Sequence, residues 1–470
     1  MGSDREILAL NAFDQAAAKN LDASLGEAVG RRLRNFGGGS VLFYQQPIRM
    51  VEAQGVWMRD AEGRRYLDVY NNVPSVGHCH PRVVEAISRQ AARLNTHTRY
   101  LNDVVDAYAE RLLAAFPKPI SQLVLTCTGS EANDLALRIA QVATGGAGFI
   151  VTEAAYHGNT AAVTEVSPSS QPGKPLAPHV RVVPAPDGYR APAAEVAIRF
   201  AAAIETAIDD LERNGVRFGG FLVDTILSSD GVFADPPGFL IPAVEAVRRR
   251  GGLFIADEVQ PGFGRTGAGL WGFQRHRLTP DIVTMGKPMG NGFPMGGVAT
   301  RPELLDRFTA EVKYFNTFGG NPVAAAAGLA VLDVIRDEGL IENAAAIGAY
   351  LADGLRAFGN RRAAIGDVRG AGLFIGLELV SDRAAKTPAP DLAAAMIDKL
   401  RRHGILIGAA GRYGNILKIR PPLPFTRENA DQVLDACDAA LAEIEGESPG
   451  RPARAQRKCA SAEPAARKSQ

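Results

Sequence analysis

The sequence predicts an α/β fold, in which a large doubly wound domain with a mostly parallel sheet precedes a smaller α+β domain. Between Val56 and about Asn321, short apolar runs alternate with helical patterns. The runs lack the period-two alternation of half-exposed strands, which indicates parallel strands buried on both faces. The segments between them are long enough for helical crossovers. The predicted strands are Leu123–Leu125, Phe149–Val151, Phe221–Val223, Leu253–Ala256 and Ile282–Met285.

The pattern changes after Pro322, where an Ala-rich helical segment, Val323–Arg336, begins. Beyond it strands and helices are predicted in mixed order, as in an α+β domain. The predicted strands are Leu373–Leu379, Ile405–Ile407 and Ile416–Arg420, and the predicted helices are Leu392–Arg402 and Arg427–Ile444. The expected division is residues 1–56, an N-terminal arm with part of the small domain; 57–322, the large domain; 323–445, the C-terminal small domain; and 446–470, a disordered tail.

Charge and cysteine content narrow the classes of function. Lysine plus arginine (52) nearly balance aspartate plus glutamate (51), so no overall field favours nucleic acid or a membrane, and a small-molecule partner is expected. The four cysteines form no Cys-x-x-Cys pair, which favours a reducing cytoplasm. The first residues hold no apolar run suited to a signal peptide. His78 and His80 have no further ligand nearby in sequence, so no metal site is expected.

A strand, a Gly-Ser turn and an amphipathic helix follow one another around Gly129 and Ser130. Ser130 is expected to cap the helix, and the free N–H groups at the positive end of the helix dipole favour a phosphate. The alternative is that the pair only starts a helix, as in any βα unit.

Asp257 follows the strand Leu253–Ala256, at the carboxyl edge where open α/β sheets bind ligands. A carboxylate there needs a cationic partner, and a protonated pyridine nitrogen would serve. The alternative is a carboxylate that only marks the start of a helix.

Lys287 directly follows the strand Ile282–Met285 and lies among glycines that permit close backbone approach. This position is unusual for a solvated charge and suits a Schiff-base lysine. Burial and nearby positive charge lower the pKa of such an amine, so that it attacks an aldehyde near neutral pH. The alternative is a lysine on a surface loop.

Two further motifs offer groups suited to a phosphorylated ring. Thr317 provides a hydroxyl in a Gly-rich turn, where it can bind a phosphate oxygen. Tyr156-His157-Gly158 follows the strand Phe149–Val151 and offers an aromatic face for stacking. Taken singly, each motif is equally compatible with turn chemistry or core packing.

In this order the motifs resemble the class III aminotransferases, which are fold type I enzymes that depend on pyridoxal 5′-phosphate (PLP). The resemblance covers roughly residues 40 to 445. It implies that Lys287 forms the aldimine and moves the proton, and that Asp257 pairs with the pyridine nitrogen. The other implied contacts are Gly129 and Ser130 with the phosphate, Gln260 with the ring hydroxyl, Val259 and Tyr156 on the ring faces with His157 beside them, and Thr317 with the neighbouring subunit's phosphate. The last contact implies a homodimer with its active sites at the subunit interface.

Within the class, the sequence is most similar to the branch that holds alanine–glyoxylate aminotransferase 2 and the phospho-lyases of phosphoethanolamine and phosphohydroxylysine. Many class members carry an Arg-x-x-Pro-Pro motif whose arginine binds the substrate carboxylate. Here Lys418 stands at that position, and Arg420 follows on the same strand face. The candidate substrate-binding residues are therefore Arg420, Lys418, Arg99 and Asn72. The structural alternatives are a strand-edge pair for Arg420 and Lys418, and an interface or core salt bridge for Arg99.

The resemblance implies transfer of an amino group between a primary amine or amino acid and a 2-oxo acid such as pyruvate or glyoxylate. The alternative is elimination of phosphate or another leaving group from the β carbon of a phosphorylated or phosphonate amine. A PLP-binding regulator is disfavoured, because the sequence shows no helix-turn-helix pattern. Asp224 is a further departure, since the family usually has a glutamate there that can neutralise the carboxylate-binding arginine.

Overall fold

The computed structural model describes residues 11–39 and 41–446. The strands are β1 (Met50–Gln54), β2 (Trp57–Asp60), β3 (Arg65–Asp68), β4 (Gln122–Thr126), β5 (Gly148–Thr152), β6 (Val180–Val183), β7 (Phe218–Asp224), β8 (Leu253–Asp257), β9 (Ile282–Met285), β10 (Gly296–Thr300), β11 (Ile365–Ala371), β12 (Phe374–Asp382), β13 (Thr387–Pro388), β14 (Ile405–Leu406), β15 (Gly408–Ala410) and β16 (Ile416–Ile419). The helices are α1 (Ala23–Phe36), α2 (Pro81–Ala91), α3 (Asp103–Leu113), α4 (Gly129–Thr144), α5 (Ala161–Glu165), α6 (Ala193–Arg213), α7 (Ile241–Arg249), α8 (Pro302–Glu311), α9 (Pro322–Asp337), α10 (Leu340–Gly359), α11 (Pro390–Arg402) and α12 (Arg427–Glu445). The predicted disordered tail lies outside the described residues, apart from Gly446.

A seven-stranded sheet forms the centre of the molecule, in the order β4-β10-β9-β8-β7-β5-β6. All five strands predicted between Val56 and Asn321 belong to it, which confirms the predicted α/β organisation. The pairs from β6 to β9 are parallel, and β10 runs antiparallel to both β4 and β9. The sheet is therefore mostly parallel, as expected. The strands β6 and β10 were not predicted.

Both faces of this sheet are covered, because its strands send apolar side chains in both directions. On β7, Phe221 packs in one core and Leu222 in the other; on β8, Phe254 and Ile255 divide in the same way. Helices α6 and α7 cover one face, and α4 and α8 cover the other. Burial of each large apolar side chain contributes about 2 kcal/mol, which explains why the runs are apolar at nearly every position; Thr284 in β9 is an exception.

Two smaller sheets complete the described fold. The strands β11, β12, β16 and β15 pair antiparallel in that order, with β13 added to β12. The strands β1, β2 and β3 form an antiparallel ladder, and β14 joins β3 in parallel. The predicted strand Ile405–Ile407 is thus found as β14, but it pairs with the N-terminal part of the chain. The division into domains stays a prediction, and its first boundary falls between β1 and β2, inside this sheet.

The carboxyl ends of β7, β8 and β9 lie side by side. Asp224 is paired in register with Asp257, and Asp257 with Thr284. Lys287 follows β9 by two residues. Within the described ranges, no helix is long and apolar enough to cross a bilayer.

Candidate active site

Asp257 ends β8 and is buried, with hydrogen-bond donors on both carboxylate oxygens. Its Oδ2 accepts from the amide of Asn133 (3.0 Å) and lies 2.7 Å from Nδ1 of His157. Its Oδ1 accepts from the backbone N–H of Val259 at 3.0 Å. These hydrogen bonds fix the orientation of the carboxylate at the end of β8.

Asn133 was missed by the sequence analysis, although a signal was present. The buried residues of α4 recur at helical spacing, and the polar Asn133 falls among them: Ala132, Asn133, Leu135, Ala136, Leu137, Ile139 and Ala140. A fully buried amide on the apolar face of a helix needs internal hydrogen-bond partners. Pattern reading alone could therefore have marked Asn133 as part of a polar network.

The start of α4 forms a cradle with close backbone approach. A methyl group on Gly129 would come within 2.8 Å of the Val259 side chain, and one on Gly158 within 2.5 Å of Ser130 Oγ. Only glycine fits at either place, and Gly158 also has a φ of 142°. The cradle leaves the first N–H groups of the helix available to an anion.

The predicted cap at Ser130 is wrong. Thr128 is the N-cap residue, and its hydroxyl accepts from the backbone N–H of Glu131 at 3.1 Å. Ser130 lies inside the first turn, where its hydroxyl accepts from the backbone N–H of Asn159 at 3.2 Å. Since the helix begins at Gly129, the side chain of Ser130 is placed beside the cradle instead of closing the helix.

Lys287 lies next to this cradle. A methyl group on the preceding Gly286 would come within 3.1 Å of the Gly129 Cα atom, so the two chain segments touch. Burial and the positive charge of Arg420 lower the pKa of the Lys287 amine, while Asp257 and Asp224 oppose this shift. The amine is thus more readily neutral than a solvated lysine, as a nucleophile requires.

Arg420 is buried and fixed by three neighbours. Its Nη1 donates to Oε1 of Gln260 at 2.8 Å and to Oδ1 of Asn72 at 3.3 Å, and its guanidinium lies 4.4 Å from the centre of the Tyr70 ring. Gln260 in turn donates from Nε2 to the hydroxyl of Ser228 at 2.5 Å. Gln260, Arg420 and Asn72 therefore belong to one hydrogen-bonded network. Tyr70 and Ser228 also contact this network, and neither was predicted as a site residue.

Lys418 is a second buried basic side chain near Arg420. Burial, followed by the charge of Arg420, lowers the pKa of Lys418 well below its ordinary value, while Asp224 and Asp230 oppose the shift. Asp224 is held by its own turn, because its two oxygens accept from the backbone N–H groups of Ile226 (3.0 Å) and Ser228 (3.1 Å). Burial raises the pKa of Asp224. The Arg420 guanidinium and the Lys418 amine thus share one neighbourhood with Lys287.

The structure does not bring every predicted residue to this cluster. Thr317 is exposed on the loop before α9, and the guanidinium of Arg99, also exposed, lies 4.0 Å from the ring centre of Phe315 on the same loop. Arg99 therefore contacts the Thr317 loop instead of forming the core salt bridge considered as an alternative. Tyr156 is half-buried, and burial raises its hydroxyl pKa.

The two histidines of the Gly-His-Cys-His-Pro motif face different carboxylates. His78 Nε2 lies 2.7 Å from Asp68, and His80 Nε2 lies 2.9 Å from Glu338. Among the residues that the structure describes, no three His, Cys, Asp or Glu side chains form a group able to hold a metal ion.

This sequence and fold are similar to those of known proteins. The family model described as Aminotransferase class-III matches residues 43–441. The chain is 41% identical over 421 residues to the Drosophila melanogaster protein named alanine–glyoxylate aminotransferase 2-like, a match that spans 87% of this chain and 85% of that protein. It is 39% identical over 453 residues to ethanolamine-phosphate phospho-lyase homolog 1 of Caenorhabditis elegans, across 91% and 96% of the two chains. A solved phospholyase from Arthrobacter, in complex with phosphoethanolamine, shares 44% identity with a TM-score of 0.86 over 88% of this chain and 99% of its own.

Proposed function

This chain belongs to the class III aminotransferases, PLP-dependent enzymes of fold type I, and we propose that it transfers an amino group between a primary amine or amino acid and a 2-oxo acid of the pyruvate or glyoxylate type. The observation that carries this proposal is the placement of the Lys287 amine. Its pKa is lowered by burial and by Arg420, and the buried Asp257 carboxylate lies close enough to oppose that shift. An amine in this setting can attack a carbonyl and later accept and return a proton.

The residues at the site fit PLP. The Asp257 carboxylate, which already receives three hydrogen bonds, can face a protonated ring nitrogen, and the glycine cradle at Gly129 and Ser130 suits a phosphate. Gln260 would reach the ring hydroxyl, with Val259, Tyr156 and His157 around the ring. When bound, PLP supplies the electron-withdrawing ring that makes the Cα–H bond of an amine substrate acidic.

The chain's own residues would carry the remaining work. Lys287 holds and moves the proton at the substrate Cα, because its amine is buried and more readily neutral than in water. Arg420, with Nε buried and without a hydrogen-bond partner, would bind the substrate anion together with Lys418. Asn72 holds the guanidinium of Arg420 in place.

The test of amino transfer is an assay of purified holoenzyme with L-alanine and glyoxylate, each present or omitted. We expect pyruvate and glycine to form only when both are present. Amino donors and 2-oxo acids of other sizes should be screened in the same way. If no donor turns over with any acceptor, amino transfer is excluded as the main activity.

A second candidate, elimination from a phosphorylated amine, is favoured by two buried basic side chains, Arg420 and Lys418. A phosphate monoester carries nearly two negative charges, and it would meet the Arg420 guanidinium, whose Nε is buried without a hydrogen-bond partner, with the Lys418 amine nearby. The similar Arthrobacter structure is a phospholyase in complex with phosphoethanolamine. In the corresponding reaction here, Lys287 would remove the Cα proton and the C–O bond to phosphate would break at the β carbon. Uptake of water would then yield acetaldehyde, ammonia and phosphate.

The two reactions differ in their need for an acceptor. With phosphoethanolamine alone, the lyase releases ammonia and phosphate in equal amounts. An aminotransferase stops after one amino group per site until a 2-oxo acid is added. Phosphate release during many turnovers without an acceptor would therefore replace the first proposal with the second.

We also propose that the enzyme is a homodimer with Thr317 in the partner's active site. The support is the exposure of Thr317 and of the aromatic side chains on either side of it, Phe315 and Phe318. Arg99, which lies over Phe315, belongs to the same surface and would serve at the interface.

We propose a cytoplasmic location because the cysteines suit a reducing compartment. In the structure, Cys79, Cys127 and Cys437 are free thiols, and free thiols persist where the compartment is reducing. A fluorescent fusion of the full chain would test the location, and fluorescence confined to an organelle would contradict it.

A further inference from the structure

The amide of Asn133 lies at the centre of a buried polar network behind the PLP site. Its Nδ2 donates to Asp257 Oδ2 at 3.0 Å and to the backbone carbonyl of His157 at 2.7 Å. Its Oδ1 accepts from the hydroxyl of Thr284 at 2.7 Å. Asn133 and Thr284 are both fully buried, so solvent cannot substitute for any of these partners.

The orientation of this amide is fixed by its neighbours. A flipped amide would turn its oxygen toward the Asp257 carboxylate and the His157 carbonyl, both of which only accept hydrogen bonds. The Thr284 hydroxyl can donate to the amide oxygen, which leaves both amide hydrogens for the two acceptors. The chain of donors therefore runs in one direction, from Thr284 through Asn133 to Asp257.

The Asp257 carboxylate needs this donor because of what lies beside it. Asp224 is its in-register neighbour on β7, and burial, together with the charge of Asp257, raises the pKa of Asp224. Two carboxylates at one sheet edge repel each other. Donors aimed at Asp257 hold its carboxylate in place against that repulsion and direct it at a ligand.

We propose that Asn133 is a positioning residue, which holds the Asp257 carboxylate directed at the PLP ring nitrogen, and that Thr284 fixes Asn133 for this task. The alternative is that Asn133 only fills a polar gap between α4 and the sheet. A gap-filling residue would affect stability alone. A positioning residue would also change the protonation of the bound ring.

The test uses the full chain reconstituted with PLP labelled with ¹⁵N in the ring, without any substrate. Its readouts are the ¹⁵N chemical shift of the bound ring and the dissociation constant of PLP. Thr284→Val removes the hydroxyl with little change of shape, whereas Thr284→Ser keeps it. Asn415→Ala is the matched control, because Asn415 is a buried amide that donates to Leu379 and Glu378 instead.

We expect Asn133→Ala and Thr284→Val to move the ¹⁵N shift toward that of a neutral pyridine. Asn133→Ala should also raise the dissociation constant of PLP about tenfold. Thr284→Ser and Asn415→Ala should keep the wild-type shift. If Asn133→Ala does not fold, the comparison of Thr284→Val with Thr284→Ser decides the question. Wild-type shift and affinity in Thr284→Val, or in a folded Asn133→Ala, would overturn the proposal. Because no substrate is present, failure of amino transfer leaves this result unaffected.

Discussion

Single side chains at the site are controlled by burial and by the charges beside them. Lys287 and Lys418 both have lowered pKa values, since burial disfavours their charged forms and Arg420 repels them. Arg420 keeps its place through Gln260, Asn72 and the ring of Tyr70. Arg420 is therefore both a cause of the lowered pKa of Lys287 and a side chain held in a fixed position beside it.

Replacement of Arg420 by lysine should weaken substrate binding. A lysine cannot reproduce the planar fork that donates to Gln260 and Asn72 and stacks on Tyr70. For the substrate identified by the assays above, we expect Arg420→Lys to raise KM about tenfold. The control is Arg356→Lys, a change in an exposed ion pair with Asp353, measured by the same steady-state kinetics. An unchanged KM in Arg420→Lys would remove Arg420 from the substrate site.

The reactivity of Lys287 should depend on pH in a predictable direction. The protonated amine cannot attack a carbonyl, so the rate of covalent PLP attachment to the apoenzyme rises with pH through the pKa of Lys287. Burial and Arg420 lower that pKa from its ordinary value of 10.5, so the midpoint should lie below pH 10.5. Arg420→Gln removes a repelling charge and should move the midpoint to higher pH.

The attachment is measured by borohydride reduction followed by mass spectrometry of the peptide that contains Lys287. Arg356→Gln serves as the control and should leave the midpoint unchanged, because its ion pair with Asp353 is exposed. A midpoint that does not move in Arg420→Gln, or a label on another lysine, would contradict the assignment.

At the scale of elements, the site is built where strands end and a helix begins. The carboxyl ends of β7, β8 and β9 supply Asp224, Asp257 and the approach to Lys287, while α4 supplies its free N–H groups. Glycine at position 129 lets the helix start touch the segment after β8, through Val259. The anion cradle is thus a product of close packing between elements.

Variants at the start of α4 should separate capping from ligand binding. Thr128→Ala removes the hydroxyl that accepts from Glu131, so it should lower the free energy of unfolding by about 1 kcal/mol. Ser130→Ala removes no cap and should change this quantity less, but should weaken PLP binding if its hydroxyl reaches the phosphate. Urea unfolding of the apoprotein measures the first effect, and PLP titration the second. Equal destabilisation by both variants would contradict the assignment of Thr128 as the cap.

At the scale of the whole molecule, an exposed apolar surface lies on the segment that carries Arg99 and on the Thr317 loop. Leu101 is 97% exposed and Phe318 is 71% exposed, and Thr98 lies against Gly320. Such exposure of large apolar side chains on neighbouring segments is typical of an interface between subunits. We therefore expect this surface to be covered in the proposed homodimer.

Phe318→Asp should disrupt the homodimer, because a carboxylate at an apolar interface lacks a partner. Light scattering after gel filtration is expected to give a dimer mass for the wild type and a lower mass for the variant, with weaker PLP binding. Ile198→Asp on α6 is the matched control, since Ile198 is also an exposed apolar residue, at 69%. A monomeric wild type, or a dimer that survives Phe318→Asp, would argue against this interface.

Much of the fold and part of the site could be read from the sequence. Five strands of the central sheet were predictable because their runs are almost wholly apolar. Asp257 and Lys287 were found because each lies at or within two residues of the carboxyl end of such a strand. The strands β6 and β10 escaped because their segments carry no distinct apolar run of the expected kind. The cap was assigned to Ser130 in error, because Thr128, Ser130 and the glycine between them all suit a helix start in sequence.

The sequence by itself determined five of the seven strands of the central sheet, the family and the PLP chemistry, because periodicity and short motifs are local properties of the chain. Only the tertiary structure decided that Asn133 and His157 meet Asp257, that Gln260 meets Arg420, and that Lys418 is buried near Arg420. The hydrogen-bonded pairs among these are a hundred or more positions apart in the chain. Their geometry follows from the packing of α4 and the C-terminal sheet on the central sheet, which no local pattern records.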